Sequence, residues 1–231
     1  MKIIEIKNLT KVYRENGIEV VAIDDINLSF EQGEFTAIVG PSGSGKTTFL
    51  NMVGGIDRAT KGEIIVDDVD ISTLKSSKLI DFRMNNIGFV FQSYNLIHVL
   101  TAKENVEFIM FLQNKPKAER TARSAELLNA VGLSDRMDSR PSKLSGGQQQ
   151  RVAVARALAS MPKFILADEP TANLDSASAS TLLDIMEKLN QQYNITFIFS
   201  THDQRVVKRA HRVITLVDGK VDSDVKTNIH G

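Results

Sequence analysis

Residues 40 to 48 read Gly-Pro-Ser-Gly-Ser-Gly-Lys-Thr-Thr, set directly between an apolar run, Phe35 to Val39, and a helix-compatible stretch, Thr47 to Val53. A strand that breaks into glycines and restarts as a helix has few ways to fold. The glycines let the backbone curl around an anion so that several N–H groups and a helix N-terminus converge on it. Lys46 adds a point charge, and Thr47 is the residue type whose hydroxyl completes a Mg²⁺ shell otherwise made of water and phosphate oxygens. The segment Gly40, Pro41, Ser42, Gly43, Ser44, Gly45, Lys46, Thr47 and Thr48 is therefore read as a nucleotide phosphate site.

A second run, Phe164 to Ala167, ends in Asp168 and Glu169, the pattern of a buried parallel strand that delivers carboxylates at its C-terminal end. Short strand candidates occupy Ile3 to Lys7, Glu19 to Ile23 and Ile26 to Phe30, with Asn16-Gly17 as a turn, which suggests an antiparallel sheet. Thr36 to Val39, Gly62 to Val66 and Ile87 to Phe91 follow as further strands. From about Asn95 to Ala159 helical spacing takes over, as in Val152, Ala155, Leu158 and Ala159, and is read as an insertion. Phe164 to Ala167, Ile195 to Ser200 and Val213 to Leu216 restore strands around a helix near Ala177 to Gln192.

The expected fold is α/β: a mainly parallel central sheet, an N-terminal antiparallel β subdomain and an inserted α-helical subdomain. The expected division is a core of residues 1–92 and 161–221, helices over 93–160 and a polar tail from 222 to 231. Gly40, Gln92, Asp168 and His202 each sit just past an apolar strand, where catalytic groups of such a sheet gather.

Composition narrows the classes. Lys plus Arg total 28 and Asp plus Glu total 28, so no long-range field gathers nucleic acid, and none is expected as a partner. The absence of cysteine excludes disulfides and thiolate metal sites. Apolar runs fall far short of the roughly 20 residues a membrane helix needs. Glu5 interrupts what would be the core of an export signal, so none is expected.

Leu144-Ser145-Gly146-Gly147-Gln148 opens another helix. By itself a Ser-Gly-Gly start is an ordinary N-cap, and it is also a second anion site with exposed N–H groups and a favourable dipole end. Together with the phosphate loop and the acidic strand, this pentapeptide resembles the signature motif of ATP-binding cassette (ABC) ATPases, a P-loop NTPase family, and the resemblance covers nearly the whole chain. The remaining landmarks follow in the family's order. Tyr13 stands at the aromatic that stacks on adenine, Gln92 matches the Q-loop, Asn173-Leu174-Asp175 the D-loop, and His202 the switch histidine.

The resemblance implies ATP and Mg²⁺ as ligands. Lys46 and the loop amides would serve the β and γ phosphates, Thr47, Gln92 and Asp168 the metal, and Glu169 would act as general base with His202 orienting it. It also implies a homodimer packed head to tail, in which Ser145, Gly146, Gly147 and Gln148 of one copy, with Asp175 nearby, close on ATP held by the other. Ile87 to Leu96, Asp138 to Ser142 and Gln148 to Arg151 are similar to the subgroup that powers lipoprotein release, macrolide export and antimicrobial-peptide removal. Members work with a membrane permease on the cytoplasmic face. His98 departs from a proline common in relatives, within a segment that touches the permease in the family. An ABC ATPase acting on ribosomes or nucleic acid is the alternative; such relatives usually carry two cassettes or a long coiled-coil insertion. A P-loop kinase or GTPase would leave Leu144 to Gln148 unexplained.

Overall fold

The computed structural model describes residues 1–15 and 17–227. It divides into two compact units, residues 1–83 with 196–231 and residues 84–195. In chain order the first unit opens with β1 (Lys2–Glu15), β2 (Ile18–Glu31), β3 (Phe35–Val39), α1 (Lys46–Val53), β4 (Lys61–Val66) and β5 (Val69–Asp70). Helix α2 (Ser76–Asn86) leads into the second unit, which holds β6 (Ile87–Val90), α3 (Ala102–Leu112), α4 (Lys117–Ala130), α5 (Gly146–Ala159), β7 (Phe164–Asp168) and α6 (Ser176–Tyr193). The chain returns to the first unit with β8 (Thr196–Ser200), α7 (Gln204–Val207), β9 (Arg212–Val217) and β10 (Lys220–Lys226).

In the first unit, β2, β1, β4 and β5 form an antiparallel sheet in that order. Ile4, Ile6, Leu9, Ile23, Ile26 and Phe30 point from it into the core, each 2% exposed or less. The three short strands read from the sequence are two long ones here. The chain continues through each polar interruption because β-bulges absorb it, with register shifts between Ile6 and Val12. Asn8 and Asp25 take left-handed φ values of 48° and 52°, and the Asn8 side-chain amide donates to Asp25 Oδ1 at 3.0 Å, so side chains bridge the gap in the ladder. The expected turn at Asn16-Gly17 falls partly on Asn16, outside the described residues.

Strands β3 and β8 are near-continuous buried runs, as strands covered on both faces are, whereas β9 alternates. Strand β3 pairs in parallel with β8 (Phe35↔Phe197 to Ile38↔Ser200) and with β9 (Thr36↔Arg212 to Val39↔Thr215). Phe35 packs on Phe199 and Phe197 at ring-centroid distances of 4.6 and 5.8 Å.

Residues 222–226, read as tail, instead complete β10, antiparallel to β9. An ion cluster rather than an apolar pattern fastens this edge. Arg212, 7% exposed, donates to Asp224 at 2.6 and 2.7 Å, to Glu34 Oε2 at 3.0 Å and to the Ser29 carbonyl at 2.7 Å. Hydrogen bonds from Arg212 hold the Asp224 carboxyl below its ordinary range. Arg212→Leu strands two carboxylates beside an apolar group, and we expect a loss of about 3 kcal/mol in urea unfolding at pH 7. A lowered carboxylate pKa contributes stability above the ordinary value and loses it as pH falls through the folded one. The gap between variant and parent therefore narrows below about pH 4, and a gap that stays constant to pH 3 contradicts the assignment.

In the second unit β6 and β7 are parallel, Ile87↔Phe164 to Val90↔Ala167. The helices expected between residues 93 and 160 are α3, α4 and α5, and they cluster with β6, β7 and α6. Helix α3 starts at a capping box formed by Thr101 and Glu104. Asn105, 1% exposed, accepts from Ile97 N at 2.8 Å and donates to the Ile97, Leu100 and Thr101 carbonyls, which shapes the loop before the helix.

Candidate functional site

The phosphate loop leaves β3 at Gly40, whose φ is 150°, and a Cβ there would lie 2.1 Å from the Leu216 carbonyl oxygen. Gly45 caps α1 with a left-handed φ of 100°, and a Cβ would sit 2.4 Å from the Ala22 oxygen. Only glycine fits either position. With Gly45 as N-cap, no side chain caps α1 and no acid lies in its first turn. That leaves the positive end of the helix dipole facing the loop, as an anion site requires. Ser44 is buried at 2% exposure, and its Oγ has no hydrogen-bond partner among the described residues. Lys46 Nζ is folded back on the loop, donating to the Gly40 and Pro41 carbonyls at 2.8 and 2.9 Å.

Tyr13 lies at the end of β1, 41% exposed, so one ring face is available to a flat ligand. Its hydroxyl donates to Asp57 Oδ2 at 2.8 Å and is hydrogen-bonded to the Thr48 side chain. Lys11 Nζ stands 4.7 Å from the ring centroid and 2.7 Å from Asp57 Oδ1. Burial and the Asp57 contact push the Tyr13 phenol above its ordinary value, so it stays protonated at neutral pH. His202 follows β8 and is exposed. Next to it Asp203 caps α7, accepting from Arg205 N at 2.9 Å.

In the second unit Gln92 follows β6 and is exposed, while Asp168 ends β7 and Glu169 comes next, both partly buried. Glu169 has φ of 46°, a left-handed conformation that costs a non-glycine residue on the order of 1 kcal/mol. Asn173 Nδ2 donates to the Gln92 carbonyl at 3.1 Å. Asp175 caps α6, accepting from Ser178 N at 2.9 Å and Ser178 Oγ at 2.6 Å, and these bonds lower its pKa.

Ser145 is both an N-cap and an exposed helix tip. Its Oγ accepts from Gln148 N at 3.3 Å, and its own N–H donates to Gln148 Oε1 at 2.9 Å, a capping box that fixes the tip's shape. Ser145, Gly147, Gln148, Arg151, Ala177, Ser178 and Thr181 surround a hollow of about 180 Å³. A second, apolar hollow of about 270 Å³ lies in this unit among Phe89, Phe91, Phe108, Leu112 and Arg156.

The structure thus places Tyr13, the loop from Gly40 to Thr48 and His202 in one unit, and Gln92, Ser145 to Gln148, Asp168, Glu169 and Asp175 in the other. Sequence reading missed Lys11, Asp57 and Gln150. The first two contact Tyr13 from 2 and 44 residues away. No group of three or more His, Asp or Glu among the described residues could hold a metal by itself. Thr47, Gln92 and Asp168 each carry an oxygen donor of the kind Mg²⁺ takes, and in the first unit the glycine cradle and Ser44 Oγ, without a hydrogen-bond partner among the described residues, fit a phosphate. No helix among the described residues is long and apolar enough to cross a membrane.

Comparison with known proteins agrees. Residues 23–172 match the family model described as ABC transporter. The chain is 46% identical over 218 residues to the uncharacterized ABC transporter ATP-binding protein MJ1508 of Methanocaldococcus jannaschii, covering 94% of this chain and 97% of that one. It is 45% identical to the macrolide export ATP-binding/permease protein MacB of Brucella melitensis, covering 99% of this chain but 35% of MacB, so it spans about a third of that relative's length. A dimeric structure of the ATP-binding cassette MJ0796 in a post-hydrolysis state, bound to ADP and Pi, superposes with a TM-score of 0.89 at 41% identity, covering 97% and 98% of the two chains.

Proposed function

This chain belongs to the ABC transporter ATP-binding family, and on that premise we propose that it hydrolyses ATP as a head-to-tail homodimer and drives a membrane permease. The observation that carries the reading is the phosphate loop, where Gly40 and Gly45 leave no room for a side chain and α1 presents an uncapped end.

The residues act as follows. Tyr13 stacks on the base. The loop amides and Lys46 hold the β and γ phosphates, the lysine exchanging its present carbonyl partners for phosphate oxygens. Thr47, Gln92 and Asp168 would hold Mg²⁺, which would supply charge neutralisation when bound. Glu169 accepts a proton from water as the water oxygen attacks the γ phosphorus. The bond from that phosphorus to the β–γ bridging oxygen breaks, its electron pair leaving with ADP. His202 donates to the γ phosphate and orients Glu169 and the water. The exposed Ser145 tip of the other copy donates to the same γ phosphate, so ATP joins the pair and hydrolysis releases it.

The permease reading rests on the likeness to MacB and to the lipoprotein-release and macrolide-export subgroup. The apolar hollow near Phe108 and Phe91 supports a permease dock on this unit, and the family likeness supports a place on the cytoplasmic face of the membrane. Phe108→Asp should strip the subunit from a detergent-solubilised permease complex while basal hydrolysis stays within about twofold. Retention on the permease refutes that docking site.

The reading as a whole is tested by phosphate release from the purified chain with Mg-ATP; neither ATP binding nor turnover would remove it. Tyr13→Ala should weaken ATP binding by about 1–3 kcal/mol in a titration if the ring stacks on the base, as aromatic side chains do on bases elsewhere. Unchanged affinity would make Tyr13 a packing residue.

A further inference from the structure

Helix α5 begins at the Ser145 tip and carries, five residues on, a glutamine that no solvent reaches. Gln150 is 0% exposed. Its side-chain amide donates to the Pro170 carbonyl at 2.9 Å and to the Phe91 carbonyl at 3.3 Å. The Phe91 carbonyl belongs to the peptide group that joins Phe91 to Gln92. Pro170 directly follows Glu169, the residue with φ of 46°. One NH₂ group thus grips the backbone next to Gln92 and next to Glu169, two of the residues assigned to the phosphate chemistry in this unit.

The amide is not there to satisfy itself. Its Oε1 is buried and has no hydrogen-bond partner among the described residues, a cost that an apolar side chain of the same volume avoids. The two donors are what a glutamine adds at this position. The same helix also reaches the following loop, where Arg156 donates to the Tyr94 carbonyl at 2.8 Å and to that of Asn95. Tyr94 and Asn95 have φ values of 60° and 50°, a strained pair that needs outside support.

We propose that Gln150 is a positioning residue for ATP hydrolysis, its amide fixing the backbone of Gln92 and Glu169 to the helix that carries Ser145. This rests on the reading of Glu169 as the base. Five residues of α-helix span about 7.5 Å, so contact of a partner's γ phosphate with the Ser145 tip bears on the same rigid rod that sets the carboxylate and amide. Gln150 touches no substrate atom. It governs turnover through where Gln92 and Glu169 stand.

The test uses the full chain with Gln150→Met and Gln150→Leu, which fill the site with apolar atoms and remove the donors. Each should lower kcat about ten- to hundredfold while binding of a fluorescent ATP analogue without Mg²⁺ stays within about twofold and melting stays close to that of the parent. On a Glu169→Gln background, Gln150→Met should slow single-turnover hydrolysis no further, because residues that act as a unit are non-additive. A near-parental kcat in both variants, a loss that recurs in full on both the Glu169→Gln and Gln92→Ala backgrounds, or a collapse of melting temperature in both variants overturns the proposal. Near-normal turnover by Glu169→Gln alone would instead bring down the reading of Glu169, and the proposal with it.

Discussion

Glu169→Gln should bind ATP as the parent does and hydrolyse it about 10²- to 10⁴-fold more slowly. Glutamine keeps the side-chain volume and the left-handed backbone at φ of 46° costs it no more than glutamate, so the fold and the phosphate loop, in the other compact unit, are untouched. What disappears is the carboxylate proposed to take the proton from the attacking water. A carboxylate near a γ phosphate also repels it, so the neutral amide favours the nucleotide-bound state. Size-exclusion chromatography with ATP should therefore show a dimer that persists, where the parent returns to its starting state as ATP is consumed. Near-normal phosphate release would remove Glu169 from the base role.

The second large effect is expected from Ser145→Arg. The tip is exposed and its hydroxyl serves a capping box with Gln148, so the substitution costs α5 about 1 kcal/mol of capping. Folding survives that loss. The functional cost is much larger, because the arginine side chain fills the hollow of about 180 Å³ beside Gly147 and Ser178 and leaves no space for a phosphate from another copy. Turnover should fall to background and ATP-dependent dimerisation should vanish, while a monomer still binds ATP through Lys46. Unchanged dimerisation would refute the head-to-tail arrangement.

What could be read from the sequence was what is local in it. The loop from Gly40 to Thr48 declares its own geometry, because the backbone conformations it needs are available to glycine alone, and the apolar runs of β3, β7 and β8 are long enough to stand out. Ser145 could be placed at a helix start by the same logic, since a capping box spans four residues. Features built by distant partners were not legible. Strand β10 alternates only weakly, and its place is secured by Arg212, 12 residues from Asp224 and 178 from Glu34. Helix α2 was overlooked because Leu79 is its only buried residue, which leaves almost no apolar face to detect. The two long N-terminal strands were read as three because bulges at Asn8 and Asp25 look in sequence like turns.

The same contrast holds within the site. Lys46, Asp168 and Glu169 follow directly from neighbouring residues, whereas the contact of Asp57 with Tyr13 bridges 44 positions and that of Gln150 with Phe91 bridges 59. No spacing rule reaches that far. The candidate site residues are conspicuous by type and setting, and the contacts around them become visible only when the chain is folded.

The central claim is that each ATP is served by the phosphate loop of one copy and the serine tip of the other. It is tested most directly by mixing Lys46→Ala with Ser145→Arg, two variants expected to be inactive alone. In a mixed pair one site combines both defects, and the other combines an intact loop with an intact tip. The account predicts that mixing restores hydrolysis to a substantial fraction of the parent rate. A mixture no more active than the sum of its two parts would contradict it.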